Sequence, residues 1–139
     1  MMWSPKLLSQ ALVLLMLVAA CAPAAMAGGK PMIFEAPRDE VYVTVVAAIT
    51  SLDEELPPAA WMRRPTGWQI ARQIPESGYV VAELMYGNLY YIDRYVRLTA
   101  HVTPVDAGVT QVVLTGGADA NDAAEVVVRA LVTRFGPPR

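Results

Sequence analysis

The chain has 139 residues, with 11 Lys or Arg against 13 Asp or Glu, one His and one Cys, for a net charge of −2. One domain of common size is expected at that length, and the near balance of charge gives no electrostatic reason to expect nucleic acid or a strongly anionic surface as partner. A single cysteine cannot make an internal disulfide framework, and one thiol with one imidazole excludes a zinc site of the usual kind, so neither a metal nor a cofactor is expected.

Residues 1–10 carry one positive charge, Lys6, and an unbroken apolar run follows from Ala11 to Ala22 before Pro23 stops it. A membrane span needs about 20 apolar residues, whereas the core of an export signal needs roughly 7 to 15 behind a basic residue. The run therefore reads as a signal peptide. Removing it takes Lys6 away and leaves ten basic residues against the thirteen acidic ones.

The only cysteine closes this leader. Val18-Ala19-Ala20-Cys21 resembles the lipobox of bacterial lipoproteins, an aliphatic residue and two small ones before the cysteine, with Val18 in place of the commoner Leu. The resemblance covers residues 1–22. It implies cleavage between Ala20 and Cys21, a diacylglyceryl group on the Cys21 thiol and, as a rule, an acyl group on the new amino terminus. Ala22 after the cysteine implies the outer membrane where two membranes exist, with the domain facing the periplasm or the cell exterior. The alternative is an A-x-A site at Ala25-Met26-Ala27, followed by Gly28-Gly29, which would release the domain without lipid. The organisation expected is a signal peptide over 1–20, a lipidated cysteine and flexible tether over 21–31, and a single α+β domain over 32–139.

Along that domain, residues 32–34 read as a short first strand. In 36–52, Val41, Val45, Ala48, Ile49 and Leu52 recur at spacings of three and four, behind Pro37 and the acidic pair Asp39-Glu40, which predicts a helix. Residues 54–67 hold three prolines and read as a loop. Strands are expected over 68–74, 79–86, 89–103 and 109–115, joined by PESG, GN and PVDAG turns. Asp122 and Glu125 at capping-box spacing, an apolar stripe of Val127, Val128, Leu131 and Phe135, and Gly136-Pro137-Pro138 predict a final helix. The order is β-α-β-β-β-β-α: an α+β fold with a four-stranded antiparallel meander and two helices on one face. Alternation turns Val96, Leu98, Ala100 and Val102 toward the helices, with Val80, Ala82, Leu84 and Tyr86 beside them. Tyr79, Val81, Glu83, Met85, Tyr95, Arg97, Thr99, His101 and Thr103 face the other way.

Chemistry is sparse. His101 with Ser51 or Ser77 would be needed for a nucleophilic triad, and neither serine lies in a G-x-S-x-G elbow, so His101 reads as solvated and no catalytic residue is assigned. Asp53-Glu54-Glu55 reads as a solvated helix end, and Gly116-Gly117 as a turn without the motifs of a phosphate cradle. The sequence DANDAAE at 119–125 lacks the spacing of a calcium loop and reads as a helix cap. Two groups suit a contact surface: Trp61, Arg63 and Arg64 in the proline-rich loop, and Tyr91, Tyr95 and Arg97 around the Gly-Asn turn. The expectation is a non-enzymatic envelope lipoprotein working through protein contacts, with the bilayer and another envelope protein as partners. A carrier for a small apolar ligand is the alternative.

Overall fold

The computed structural model describes residues 29–56, 67–87 and 92–139. Within them the order is β1 (Met32–Phe34), α1 (Arg38–Thr50), α2 (Leu52–Glu55), β2 (Trp68–Ile74), β3 (Tyr79–Gly87), β4 (Ile92–Asp106), β5 (Val109–Gly116), a 3₁₀ turn (Ala118–Ala120) and α3 (Asn121–Phe135). The fold is α+β. The sheet has five strands in the order β1-β5-β4-β3-β2 rather than four, every neighbouring pair antiparallel. Consecutive hairpins make the meander of β2 to β5. The fifth strand is the three-residue β1, which crosses to the free edge of β5 and pairs Met32 with Val112 and Phe34 with Thr110.

One face of this sheet carries the core. Val80, Ala82, Val96, Leu98, Ala100 and Val102 are buried as alternation predicts, against Val41, Val45, Ala48, Ile49 and Leu52 from the first helical segment and Val127 and Leu131 from α3. Burying such side chains is worth roughly 1.5–3 kcal/mol each, so this layer is what holds the domain together. Val128 and Phe135 pack half-buried at its margin. On one flank α1 meets α3, where Arg134 Nη1 donates to Thr44 Oγ1 at 2.9 Å. Toward the β2–β3 turn, Arg38 Nη2 donates to the Pro75 carbonyl while the guanidinium lies over the Tyr42 ring, 5.1 Å from its centroid.

Pro37 stands directly before α1, extended at ψ 144°, with its carbonyl accepting from the Val41 amide, and Asp39 and Glu40 lie in the first turn, as expected of a helix start. Three boundaries differ from expectation. Helix α1 breaks at Ser51, whose hydroxyl donates to the Ala48 carbonyl, and resumes as α2. The capping box of Asp122 and Glu125 does not form: a 3₁₀ turn precedes α3, the cap position falls to Ala120, and no side chain caps it. Strand β4 continues through Pro104 to Asp106, with the register slipping between them. Proline is tolerated there because β3 begins at Tyr79, opposite His101, so residues 103–106 of β4 form a free edge on that side, where no ladder bond is lost.

The free edge of β1 is closed by the end of the chain. The Arg139 amide donates to the Ile33 carbonyl at 2.9 Å, the Ile33 amide to the Arg139 carbonyl at 3.4 Å, and the Arg139 guanidinium sits 3.1 Å from Glu35. Upstream of β1 the Gly29 amide donates to the Leu114 carbonyl at 2.8 Å, so the sheet takes hold of the chain three residues before β1 begins.

Candidate functional site

The face of the sheet turned away from the helices is where the described contact residues lie. Its rows follow from the register: Tyr79, His101 and Val113 across β3, β4 and β5, then Val81, Thr99 and Thr115, and Glu83 with Arg97. Most of these side chains are half-buried, which makes this a mixed surface rather than a plainly polar one.

Two cross-strand pairs organise it. Arg97 Nε and Nη2 both donate to Glu83 Oε1, at 2.9 and 2.7 Å, so the guanidinium expected as a free contact group is tied to its neighbour on β3. The Tyr79 ring stacks on the His101 imidazole with centroids 4.0 Å apart and planes 5° from parallel, and Thr103 Oγ1 lies 3.3 Å from His101 Nε2. His101 is thus a half-buried, stacked residue, which corrects its reading as solvated: a β-strand places directly opposite side chains close enough for two flat rings to pair. The two serines named as its partners are elsewhere. Ser51 donates to Ala48 at the end of α1, and Ser77 to the Ile74 carbonyl in the β2–β3 turn. Among the described residues no three His, Cys, Asp or Glu side chains are grouped closely enough to hold a metal ion.

Of the other residues expected at a site, Ala20, Cys21, Trp61, Arg63, Arg64 and Tyr91 lie outside the described residues. Tyr95 is placed on β4 opposite Met85. The attachment points of the two contact segments do come together, because Trp68 at the start of β2 pairs with Leu84, close to where β3 ends at Gly87 and β4 begins at Ile92. That end of the sheet projects. Strand β5 stops at Gly116, opposite Leu98, while β3 and β4 run on as a paired arm to Gly87 and Ile92.

Sequence reasoning missed the role of Asp53. Its Oδ1 accepts the Trp68 amide at 2.7 Å, fixing the start of β2 to the end of the helical layer. Proximity of two segments fifteen residues apart leaves no signal in composition or period. Gly116 has a packing reason instead of a phosphate: a Cβ there would lie 2.7 Å from the Arg97 carbonyl oxygen and 2.9 Å from Ala120 Cβ.

No protein-family model matches the chain, and no curated protein matches it. Among solved structures, the Zhui aromatase/cyclase from Streptomyces sp. R1128 is similar at 19% identity over 76% of this chain and 82% of that one, with a TM-score of 0.31. A likeness of that size carries no argument about activity.

Proposed function

We propose that this protein is a bacterial envelope lipoprotein, held on a membrane by acyl chains on Cys21 and acting through contacts rather than catalysis. The observation that carries the reading is the position of Cys21: the only cysteine in the chain, directly after Val18-Ala19-Ala20 at the end of an apolar leader, and eight residues ahead of Gly29. Each acyl CH₂ buried in a bilayer contributes about 0.8 kcal/mol, so two or three chains hold a domain of this size on the membrane. Contact rather than chemistry is supported by the commitments of the polar groups nearest a candidate site: Arg97 to Glu83, and His101 to Tyr79 and Thr103. Intact-mass measurement of the detergent-extracted protein tests the anchor. A chain starting at Cys21 with a diacylglyceryl adduct is expected, and Cys21→Ala should move the domain to the soluble fraction; a product starting at Gly28 without acyl groups overturns the reading in favour of simple secretion.

A second reading, a carrier for a small apolar ligand, has one observation on its side. The Tyr42 hydroxyl is buried with no hydrogen-bond partner, and a ligand with one polar atom would satisfy it. Native mass spectrometry of the purified domain after mild extraction would show a retained small molecule if this reading holds.

A further inference from the structure

We infer that the solvent side of α1 is a docking surface for a basic, amphipathic segment of a partner protein, an inference that rests on the contact half of the proposed function and not on the acyl anchor. The first ground is the pattern of the helix. Val41, Val45, Ala48, Ile49 and Leu52 make the stripe that packs on the sheet. A second stripe, Val43, Val46, Ala47 and Thr50, repeats spacings of three and four on the opposite side. Val43 is 60% exposed, Ala47 and Thr50 are exposed as well, and Val46 is half-buried at the margin of the core. The Thr50 hydroxyl donates to the Val46 carbonyl at 2.8 Å, so it is spent on the helix's own backbone. The outward stripe of a surface helix is ordinarily charged or polar, and a helix that is apolar on both sides is one that is covered on both. Among the described residues nothing covers the second side.

The second ground is charge. Residues 38–55 hold five acidic residues and one basic, and the acids stand at the two ends of the stripe, Asp39 and Glu40 ahead of Val43, and Asp53, Glu54 and Glu55 after Thr50. Three of them are engaged: Asp39 by Arg38 at 3.1 Å, Glu55 by Arg129 at 3.9 Å, and Asp53 by the Trp68 amide. Glu40 and Glu54 are exposed, and among the described residues neither forms an ion pair. In sequence Glu40, Val43, Ala47, Thr50 and Glu54 are spaced alternately by three and four, which is the spacing of one helical seam. Ser51, where α1 gives way to α2, keeps right-handed helical dihedrals at φ −86° and ψ −1°. From Glu40 to Glu54 at ~1.5 Å per residue is about 20 Å.

These ends select the occupant. An anionic bilayer is repelled by both of them. A second copy of this chain sets acid on acid in either direction, like end on like when the helices run parallel, and Glu40 on Glu54 when they run antiparallel. A partner segment with an apolar middle and a Lys or Arg near each end, about 20 Å apart, satisfies the stripe and both carboxylates together. Amphipathic helices dock in this way, by laying an apolar face on a partner.

The test titrates the full processed chain, held in phosphatidylcholine nanodiscs where it is acylated, with a fluorescent peptide of about 18 residues that is apolar at spacings of three and four and carries a Lys pair at each end. Two companion peptides replace the Lys pairs by Glu, or the apolar positions by Ser. The Lys-ended peptide should bind, and both companions should bind at least about tenfold more weakly. Val43→Asp should weaken binding by about tenfold or more, since an apolar contact is lost and a charge takes its place. Glu40→Gln combined with Glu54→Gln should remove most of the salt dependence. Val105→Asp, at a valine 58% exposed on β4, is the control, and Ala47→Glu replaces Val43→Asp if circular dichroism shows that variant to misfold. No binding of the Lys-ended peptide, equal binding of the Glu-ended one, or an equal loss from Val105→Asp overturns the inference. So does a dimer of this chain, seen in sedimentation, that Val43→Asp dissolves. A chain that binds the peptide without carrying an adduct overturns the anchor and leaves the surface; an acylated chain that does not bind overturns the surface and leaves the anchor. Failure of the contact reading itself shows differently, as a small apolar molecule retained in native mass spectrometry.

Discussion

The Tyr79 ring and the His101 imidazole lie face to face, 4.0 Å between centroids, on directly paired residues of β3 and β4. Tyr79 is more exposed than most of this face, at 39%, and the stack gives its ring a flat aromatic partner. Cross-strand aromatic pairs contribute about 0.2–1 kcal/mol relative to an Ala–Ala pair. A double-mutant cycle with Tyr79→Ala and His101→Ala should return a coupling in that range by urea denaturation, and strictly additive losses would show that the rings do not interact.

Gly78 turns the chain into β3 with φ +75°, its amide bonded to the Pro75 carbonyl at 3.2 Å and its carbonyl accepting from the Val102 amide at 2.9 Å. A Cβ at this residue would run into the Val102 carbonyl oxygen, which the same pairing holds in place. Backbone strain and overpacking act together here, so Gly78→Ala should lose about 2–4 kcal/mol. Gly108→Ala, where an added methyl meets nothing within 4 Å, is the control; equal melting temperatures for the two variants would refute the argument.

Two buried hydroxyls should respond in opposite directions. Thr110 is fully buried and its Oγ1 donates to the Ala36 carbonyl at 2.7 Å, tying β5 to the connection between β1 and α1. Thr110→Val keeps the shape and orphans that carbonyl, an expected loss of about 1–3 kcal/mol. The Tyr42 hydroxyl is buried without a partner, so Tyr42→Phe removes a desolvated polar group and should leave stability unchanged or raise it by up to about 1 kcal/mol. A clear loss for Tyr42→Phe would mean that the hydroxyl has a partner in solution and would remove the observation on which the carrier reading stands.

The fold was legible wherever one side chain in two, or one in three to four, had to be apolar. Val96, Leu98, Ala100 and Val102 could be assigned inward because a strand has period two, and Val41 through Leu52 because a helix face has period 3.6. The place of β1 was not legible. Three residues carry no register of their own, and which edge they join is decided by the reach of the chain from Phe34 into α1. The cap of α3 failed for a related reason: Asp122 has the right spacing to Glu125, but a 3₁₀ turn at Ala118–Ala120 moves the helix start ahead of it. At the candidate site, the outward placement of Arg97 and His101 followed from alternation, whereas their ties to Glu83 and Tyr79 depend on strand register, which the turn sequences constrain only loosely.

The course of the chain into β1 has a mechanical consequence. Bonds between antiparallel strands stand perpendicular to the strand axis, and the chain from Gly29 to Phe34 keeps to that axis beside β5. A pull along it would load the bonds of β1 to β5, and those of Ile33 to Arg139, in shear and all at once, so the short strand resists as a clamp and does not peel open one bond at a time.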